Sequence, residues 1–120
     1  MAKILIVDDE KDLAEMLGAI LELKGYTAKP CLDGYKAIEE VKKAHYDLIM
    51  MDIRLPEMND VETFIKIKEI DQKVKVIMMT GFAVEELLLE AIKQGAYGCI
   101  HKPFKPEKMF GMIEEVLKEN

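Results

Sequence analysis

The chain has 120 residues, half of them apolar and a third charged, with a formal net charge of −6. This length gives room for one domain with one core, and the negative charge argues against the basic face that nucleic-acid binding requires. No apolar run approaches the roughly 18 residues of a membrane span, and the amino terminus lacks a signal-peptide layout, so we expect a cytoplasmic protein without membrane contacts.

Short apolar runs alternate with longer segments of helical period along the chain. The predicted strands are Lys3–Val7, Tyr26–Pro30, Asp47–Met51, Lys75–Met79 and Tyr97–His101. The predicted helices are Lys11–Lys24, Gly34–Ala44, Val61–Ile70, Val84–Gln94 and Pro106–Lys118. Five strand–helix units with short connections favour right-handed crossovers. The sequence therefore predicts one α/β domain over residues 1–120, a five-stranded parallel sheet with helices on both faces.

The helices should bury apolar stripes against that sheet. The residues expected in these stripes are Leu13, Leu17, Ile20 and Leu21 on the first helix, and Phe110, Ile113 and Leu117 on the last. Gly25 and Gly95 follow predicted helix ends, where glycine commonly caps the last turn. Cys31 and Cys99 lie far apart without metal-ligand spacing, so we expect reduced, partly buried thiols.

The ends of four predicted strands carry groups that suit metal ions and phosphate. Asp8 and Asp9 follow the first strand, Asp52 the third, Thr80 the fourth and Lys102 the fifth. Sites in open parallel sheets form beyond the carboxyl ends of the strands. Taken singly, the acids could cap a helix, the threonine could bond to backbone and the lysine could be solvated. Their coincidence at four independently predicted strand ends favours one functional site.

The chemistry of such a cluster is specific. Close carboxylates repel one another, and a hard divalent cation, Mg²⁺ or Mn²⁺, relieves that repulsion while keeping positions open for phosphate oxygens. Lys102 and Thr80 could each contact a phosphoryl group, the one as a compact charge and the other as a hydroxyl donor. Metal and lysine together would neutralise an incoming phosphoryl group, so the residues indicate an aspartyl-phosphate site.

The chain resembles the receiver domain of two-component response regulators over its whole length. The matching motifs are Ile-Leu-Ile-Val-Asp-Asp-Glu at 4–10, Asp-Leu-Ile-Met-Met-Asp-Ile-Arg-Leu-Pro at 47–56, Thr80-Gly81, and Gly-Ala at 95–96 followed by Lys102-Pro103-Phe104. The resemblance implies a (βα)5, flavodoxin-like topology. It also implies a signalling switch, not an enzyme with a separate substrate.

The resemblance further implies which residues act in the site. Asp52 would accept phosphate from the phosphohistidine of a histidine kinase or phosphotransfer protein, or from a small phosphodonor. Asp9 would bind Mg²⁺ directly, Asp8 chiefly through water, and the backbone carbonyl of Arg54 would complete the protein ligands.

For the phosphorylated state, the resemblance implies that Thr80 and Lys102 bind the phosphoryl group and that the Lys102–Pro103 bond is cis. The output would be a change in the surface formed by the fourth helix, fifth strand and fifth helix, which could also form a homodimer. Cys99 occupies the switch position where the family has tyrosine or phenylalanine. The resemblance implies that phosphorylation draws the Thr80 hydroxyl inward and that the aromatic side chain then turns into the space it leaves. A cysteine is too small to do this, so the relay from Thr80 through this position is expected to be missing.

Two residues beside the site should tune how long the phosphoryl group persists. Arg54 and Phe82 each lie two positions after a site residue, Asp52 and Thr80 respectively. A long cation and a bulky ring there could hinder an attacking water. We therefore expect slow self-dephosphorylation.

Two other functions share parts of this pattern. A phosphatase of the haloacid-dehalogenase type also uses a strand-end aspartate and Mg²⁺, but it requires a second acid where this chain has Arg54. A flavodoxin-like cofactor carrier would need a phosphate-binding loop after the first strand, where Asp8 and Asp9 would repel a phosphate.

Overall fold

A computed structural model describes residues 2–52, 60–81, 92–93, 95–103 and 105–118. The strands are β1 (Lys3–Val7), β2 (Thr27–Cys31), β3 (Leu48–Asp52), β4 (Lys75–Thr80) and β5 (Gly98–His101). The helices with stated bounds are α1 (Lys11–Leu23), α2 (Gly34–Lys43), α3 (Asp60–Ile70) and the C-terminal helix (Pro106–Lys118).

The five strands form one parallel sheet in the order β2-β1-β3-β4-β5. The first crossover places β2 on one side of β1. The second runs from β2 back past β1 and places β3 on its other side, and right-handed crossovers then add β4 and β5 beyond β3. The reversal opens a crevice between β1 and β3 at their carboxyl ends. The predicted fold class, a five-stranded parallel α/β sheet of flavodoxin-like topology, is confirmed.

Helices cover both faces of the sheet. On one face, buried side chains of α1 and the C-terminal helix pack against Ile4, Ile6 and Met50. On the other, buried side chains of α2 and α3 pack against Leu5, Val7 and other strand residues. Because successive strand residues point to opposite faces, the continuous apolar runs 4–7, 48–51 and 76–79 in β1, β3 and β4 require both faces to be covered.

The element ends differ from the prediction by about one residue. The bounds of β1 and the C-terminal helix are as predicted, whereas β2, β3 and β5 begin one residue later. Asp47 and Tyr97 nevertheless donate backbone hydrogen bonds to Lys3 and Val76 of neighbouring strands, both at 2.9 Å. The predicted helix Val84–Gln94 lies outside the described residues except for residues 92–93, which are helical.

The buried stripes are rotated from those predicted. On the C-terminal helix the buried residues are Met109, Ile113 and Val116, while Phe110 and Leu117 are only partly buried. On α1 the buried set is Ala14, Leu17, Gly18 and Leu21, with Leu13 and Ile20 at its edge. The small residues of this set, Ala14 and Gly18, are not recognised as part of an apolar stripe in the sequence. They nevertheless let the backbone of α1 come close to the sheet.

Both predicted glycine caps are confirmed, because Gly25 and Gly95 have positive φ angles of 95° and 108°. Cys31 is buried, Cys99 is partly buried, and both are free thiols as expected. Among the helices in the described part of the chain, none is long and apolar enough to cross a membrane.

Candidate functional site

Three carboxylates meet at the carboxyl ends of β1 and β3. Asp8 follows β1 directly and is fully buried, and Asp52 is the last residue of β3 and is 7% exposed. Asp9, one residue further, is exposed. Each of the three offers a carboxylate oxygen within 4.8 Å of the others. They therefore lie at the crevice where the strand order reverses.

Backbone hydrogen bonds hold Asp8 in place. Its N–H donates to the carbonyl of Cys31 at the end of β2 at 3.0 Å, which extends the ladder one residue past the strand. Its Oδ1 accepts a hydrogen bond from the N–H of Glu10 at 2.9 Å. Glu10 is the N-cap residue of α1, so one carboxylate oxygen of Asp8 is engaged at the start of that helix and the other faces the site.

The Lys102 ammonium group lies among the acids. Nζ is 2.7 Å from Asp8 Oδ2, 3.4 Å from Asp52 Oδ2 and 3.9 Å from Glu10 Oε1. Burial by itself lowers the pKa of this amine, but the hydrogen bond to Asp8 and the charge of Asp52 outweigh burial and leave the pKa raised. Lys102 is therefore a fixed positive charge in the pocket.

Thr80 ends β4 beside this lysine. It is 2% exposed, and its carbonyl accepts a 2.7 Å hydrogen bond from the Lys102 N–H. A cleft of about 450 Å³ opens next to the site between α1 and the C-terminal helix, and Asp52, Gly81 and Lys102 form part of its wall. A group the size of a phosphoryl can therefore approach Asp52 from solvent.

The donor set fits a hard divalent cation. Asp8, Asp9 and Asp52 supply only oxygen ligands, which Mg²⁺ and Mn²⁺ prefer. Among the described residues, the Lys102 ammonium group contacts two of these three carboxylates, Asp8 and Asp52, which leaves an excess of negative charge in a largely buried pocket. A cation would remove that excess.

The structure brings the described site residues together as the sequence predicted: Asp8, Asp9, Asp52, Thr80 and Lys102. The Lys102–Pro103 bond is cis, also as predicted. Arg54, Phe82 and Phe104 lie outside the described residues. Sequence reasoning missed the place of Glu10 at the edge of the site, although three consecutive acids at 8–10 were a signal for it.

Cys99 is not part of the cluster. It pairs with Met78 in the β4–β5 ladder, two pairs before Thr80, and packs against the core on the α2/α3 face. The expected loss of the relay through Cys99 stays a prediction.

Comparison with known proteins agrees with this geometry. A family model described as the response regulator receiver domain matches residues 4–114. The chemotaxis protein CheY of Thermotoga maritima is 35% identical over 97% of this chain and 98% of its own length. CheY of Halobacterium salinarum is 38% identical over 98% of both chains.

Longer relatives match over only part of their length. The chain spans 52% of a CpxR homologue of Haemophilus influenzae, at 29% identity. Among solved structures, a CheY-like receiver domain protein of Methanospirillum hungatei superimposes with a TM-score of 0.96 at 30% identity, covering 99% of this chain and 95% of its own. Nothing in these matches supports a haloacid-dehalogenase phosphatase. The chain belongs to the response regulator receiver domains of two-component signalling, a family of signalling switches.

Proposed function

We propose that this receiver domain accepts a phosphoryl group on Asp52, in a Mg²⁺- or Mn²⁺-dependent reaction, from the phosphohistidine of a histidine kinase or phosphotransfer protein. The observation that carries the proposal is the meeting of Asp8, Asp9 and Asp52 within 4.8 Å, with one lysine ammonium group among them. Helix capping alone would not require carboxylates from the ends of two strands, Asp8 and Asp52, to meet at one lysine.

The proposed reaction transfers one phosphoryl group. A carboxylate oxygen of Asp52 attacks phosphorus as the phosphorus–nitrogen bond of the donor breaks, and the bonding pair returns to the donor imidazole. Asp52 suits this role because it stands at the cleft beside Lys102, whereas Asp8 has Oδ1 engaged by the Glu10 N–H and Oδ2 by Lys102.

Each remaining residue has a role that follows from its position. Asp8, Asp9 and Asp52 would hold the cation, and the backbone carbonyl of Arg54, which lies outside the described residues, is proposed as a further ligand from the family resemblance alone. The cation, when bound, neutralises charge on the transferred group. Lys102 would move from its contact with Asp8 to the phosphoryl oxygens, and the Thr80 hydroxyl would donate to the same group.

The central test is phosphorylation with acetyl phosphate or phosphoramidate and Mg²⁺, followed by intact mass. We expect one acid-stable, base-labile phosphoryl adduct on wild type, none without divalent cation, and none on Asp52→Asn. Asp12→Asn is the matched control, because Asp12 is an exposed aspartate in the first turn of the neighbouring helix. An adduct of equal yield on Asp52→Asn would refute the assignment.

The metal ligands are tested by calorimetric titration with MgCl₂. Asp9→Asn removes an exposed carboxylate that makes no hydrogen bond to the backbone among those described, so the fold should be retained. We expect its Mg²⁺ affinity to fall by about tenfold or more. Unchanged affinity in this variant would remove Asp9 from the ligand set.

The output surface and the phosphoryl lifetime stay predictions. The expected homodimer and the change in the surface of the fourth helix, β5 and the C-terminal helix involve residues outside those described. Slow self-dephosphorylation, through Arg54 and Phe82, is likewise a prediction; loss of the adduct within seconds in isolated protein would contradict it.

A further inference from the structure

The sheet offers one direct path from the buried site to the surface. Among the ladder pairs that contain a site residue, Asp52 pairs with Met79, which is buried. Thr80 pairs with His101, which is exposed. The Thr80–His101 pair is therefore the one place in the described ladders where a site side chain stands beside an exposed side chain.

The two side chains lie on the same face of the sheet. Registered residues of neighbouring parallel strands point the same way, about 5 Å apart, and residues two apart in a strand share a face. Met78 and Cys99, each two residues earlier and also registered, both pack on the α2/α3 face. Thr80 and His101 therefore adjoin each other on that face.

We propose that His101, and not Cys99, carries the state of Asp52 to the surface of this protein, through the Thr80 side chain beside it. The inference rests on the proposed phosphorylation, because that reaction supplies the reason for Thr80 to reorient. A rotation of Thr80 about χ1 exchanges the positions of its hydroxyl and its methyl group. The neighbouring imidazole, which can both donate and accept hydrogen bonds, then faces a different group.

The backbone at this point favours tight coupling. The Lys102 N–H donates to the Thr80 carbonyl at 2.7 Å, directly after the Thr80–His101 pair. The peptide bond that joins His101 to Lys102 is thus hydrogen-bonded to Thr80 through its N–H. Cys99 lacks this position, because its ladder partner Met78 is a core residue and not a site residue.

The chain contains two histidines, which makes the test direct. Imidazole resonances of the ¹⁵N-labelled protein are recorded before and after addition of Mg²⁺ and beryllofluoride, and bound beryllofluoride is monitored by its ¹⁹F resonance. We expect the His101 signals to shift and those of His45, at the opposite end of the sheet, to stay in place. Assignments come from His101→Asn and His45→Asn.

Two variants separate coupling from mere proximity. Thr80→Val keeps the shape and removes the hydroxyl, so the adduct should still be observable at high beryllofluoride while the His101 shift is largely lost. Cys99→Ala should leave the His101 shift as in wild type. A full His101 shift in Thr80→Val, or its loss in Cys99→Ala, would overturn the inference.

Linkage adds a reciprocal measurement. If the two side chains are coupled, His101→Ala must change beryllofluoride affinity, and the expected change is at least about fivefold. His45→Ala should leave it unchanged. Bound beryllofluoride without any shift of the His101 resonances refutes this inference alone. Absence of bound beryllofluoride in wild type refutes the proposed function and this inference with it.

Discussion

The two ends of the sheet differ in the arrangement and burial of their charged side chains. At the carboxyl-terminal end, the carboxylates of Asp8, Asp9 and Asp52 lie together, and the Lys102 ammonium group contacts Asp8 and Asp52. At the amino-terminal end, His45 lies between Asp47 and Asp71, with its ring nitrogens 3.3 and 3.2 Å from their carboxylates. One end holds an excess of carboxylates in a largely buried pocket, and the other holds its histidine–carboxylate pairs at the surface.

Side chains at the amino-terminal end also form hydrogen bonds with backbone groups. Asp47 Oδ2 accepts from the Lys3 N–H at 2.8 Å, and Lys68 donates to the carbonyls of Gln72 and Val74 at 2.8 and 3.0 Å. These contacts tie turns to strands and need no ligand. The comparison teaches that the amino-terminal contacts are satisfied within the chain, whereas the carboxyl-terminal cluster has the excess of carboxylates that the proposed cation and phosphoryl site requires.

The largest expected effect is at Lys102. Lys102→Ala leaves the fully buried Asp8 carboxylate without its 2.7 Å partner, and we expect a loss of about 3 kcal/mol in the free energy of unfolding without divalent cation. Mg²⁺ should bind this variant more tightly than wild type and so reduce the difference in the free energy of unfolding between the two proteins. Urea unfolding with and without MgCl₂ would measure that difference.

The control for that measurement is Lys105→Ala, since Lys105 is exposed and should change stability by no more than about 0.5 kcal/mol. Equal destabilisation of Lys102→Ala with and without Mg²⁺ would show that the lysine does not stand in for a cation.

A second effect of intermediate size concerns pH at the same end of the sheet. Burial, and then the charges of Asp33 and Glu40, raise the pKa of the Cys31 thiol from 9.0 to about 11. The folded state then holds the thiol proton more tightly than the unfolded state. The contribution of this thiol to the free energy of unfolding is therefore fully present below pH 9 and is lost as pH rises toward 11.

We expect this loss to amount to about 2 kcal/mol across that window. Cys31→Ala should lose less stability than wild type between pH 8.5 and 11, whereas Cys99→Ala should follow the wild-type slope. Denaturant unfolding at several pH values measures both slopes, and parallel curves for wild type and Cys31→Ala would contradict the assignment.

The smallest expected effect is at the amino-terminal end. His45 is about two-thirds exposed, and such surface pairs contribute little, so His45→Ala should cost about 0.5 kcal/mol and leave Mg²⁺ affinity unchanged. Thermal unfolding and calorimetry check the two values. A cost as large as that of Lys102→Ala would break the contrast between the two ends.

The sequence by itself determined the elements and the chemistry of the site. Three continuously apolar strands indicate a sheet covered on both faces, and the residues that follow such strands must lie at one edge because all the strands are parallel. Asp8, Asp52, Thr80 and Lys102 could therefore be assigned to one site from their positions alone, without knowing which strands are neighbours.

Only the tertiary structure decided how those residues pair. Lys102 is closer to Asp8 than to Asp52, by 2.7 Å against 3.4 Å, and Thr80 stands beside His101. The helical pattern likewise missed that Met109 and Val116, not Phe110 and Leu117, are buried on the C-terminal helix. Periodicity gives the direction of a helix face only to within about one residue, and distances between strand ends depend on strand order and twist, which are properties of the packed chain.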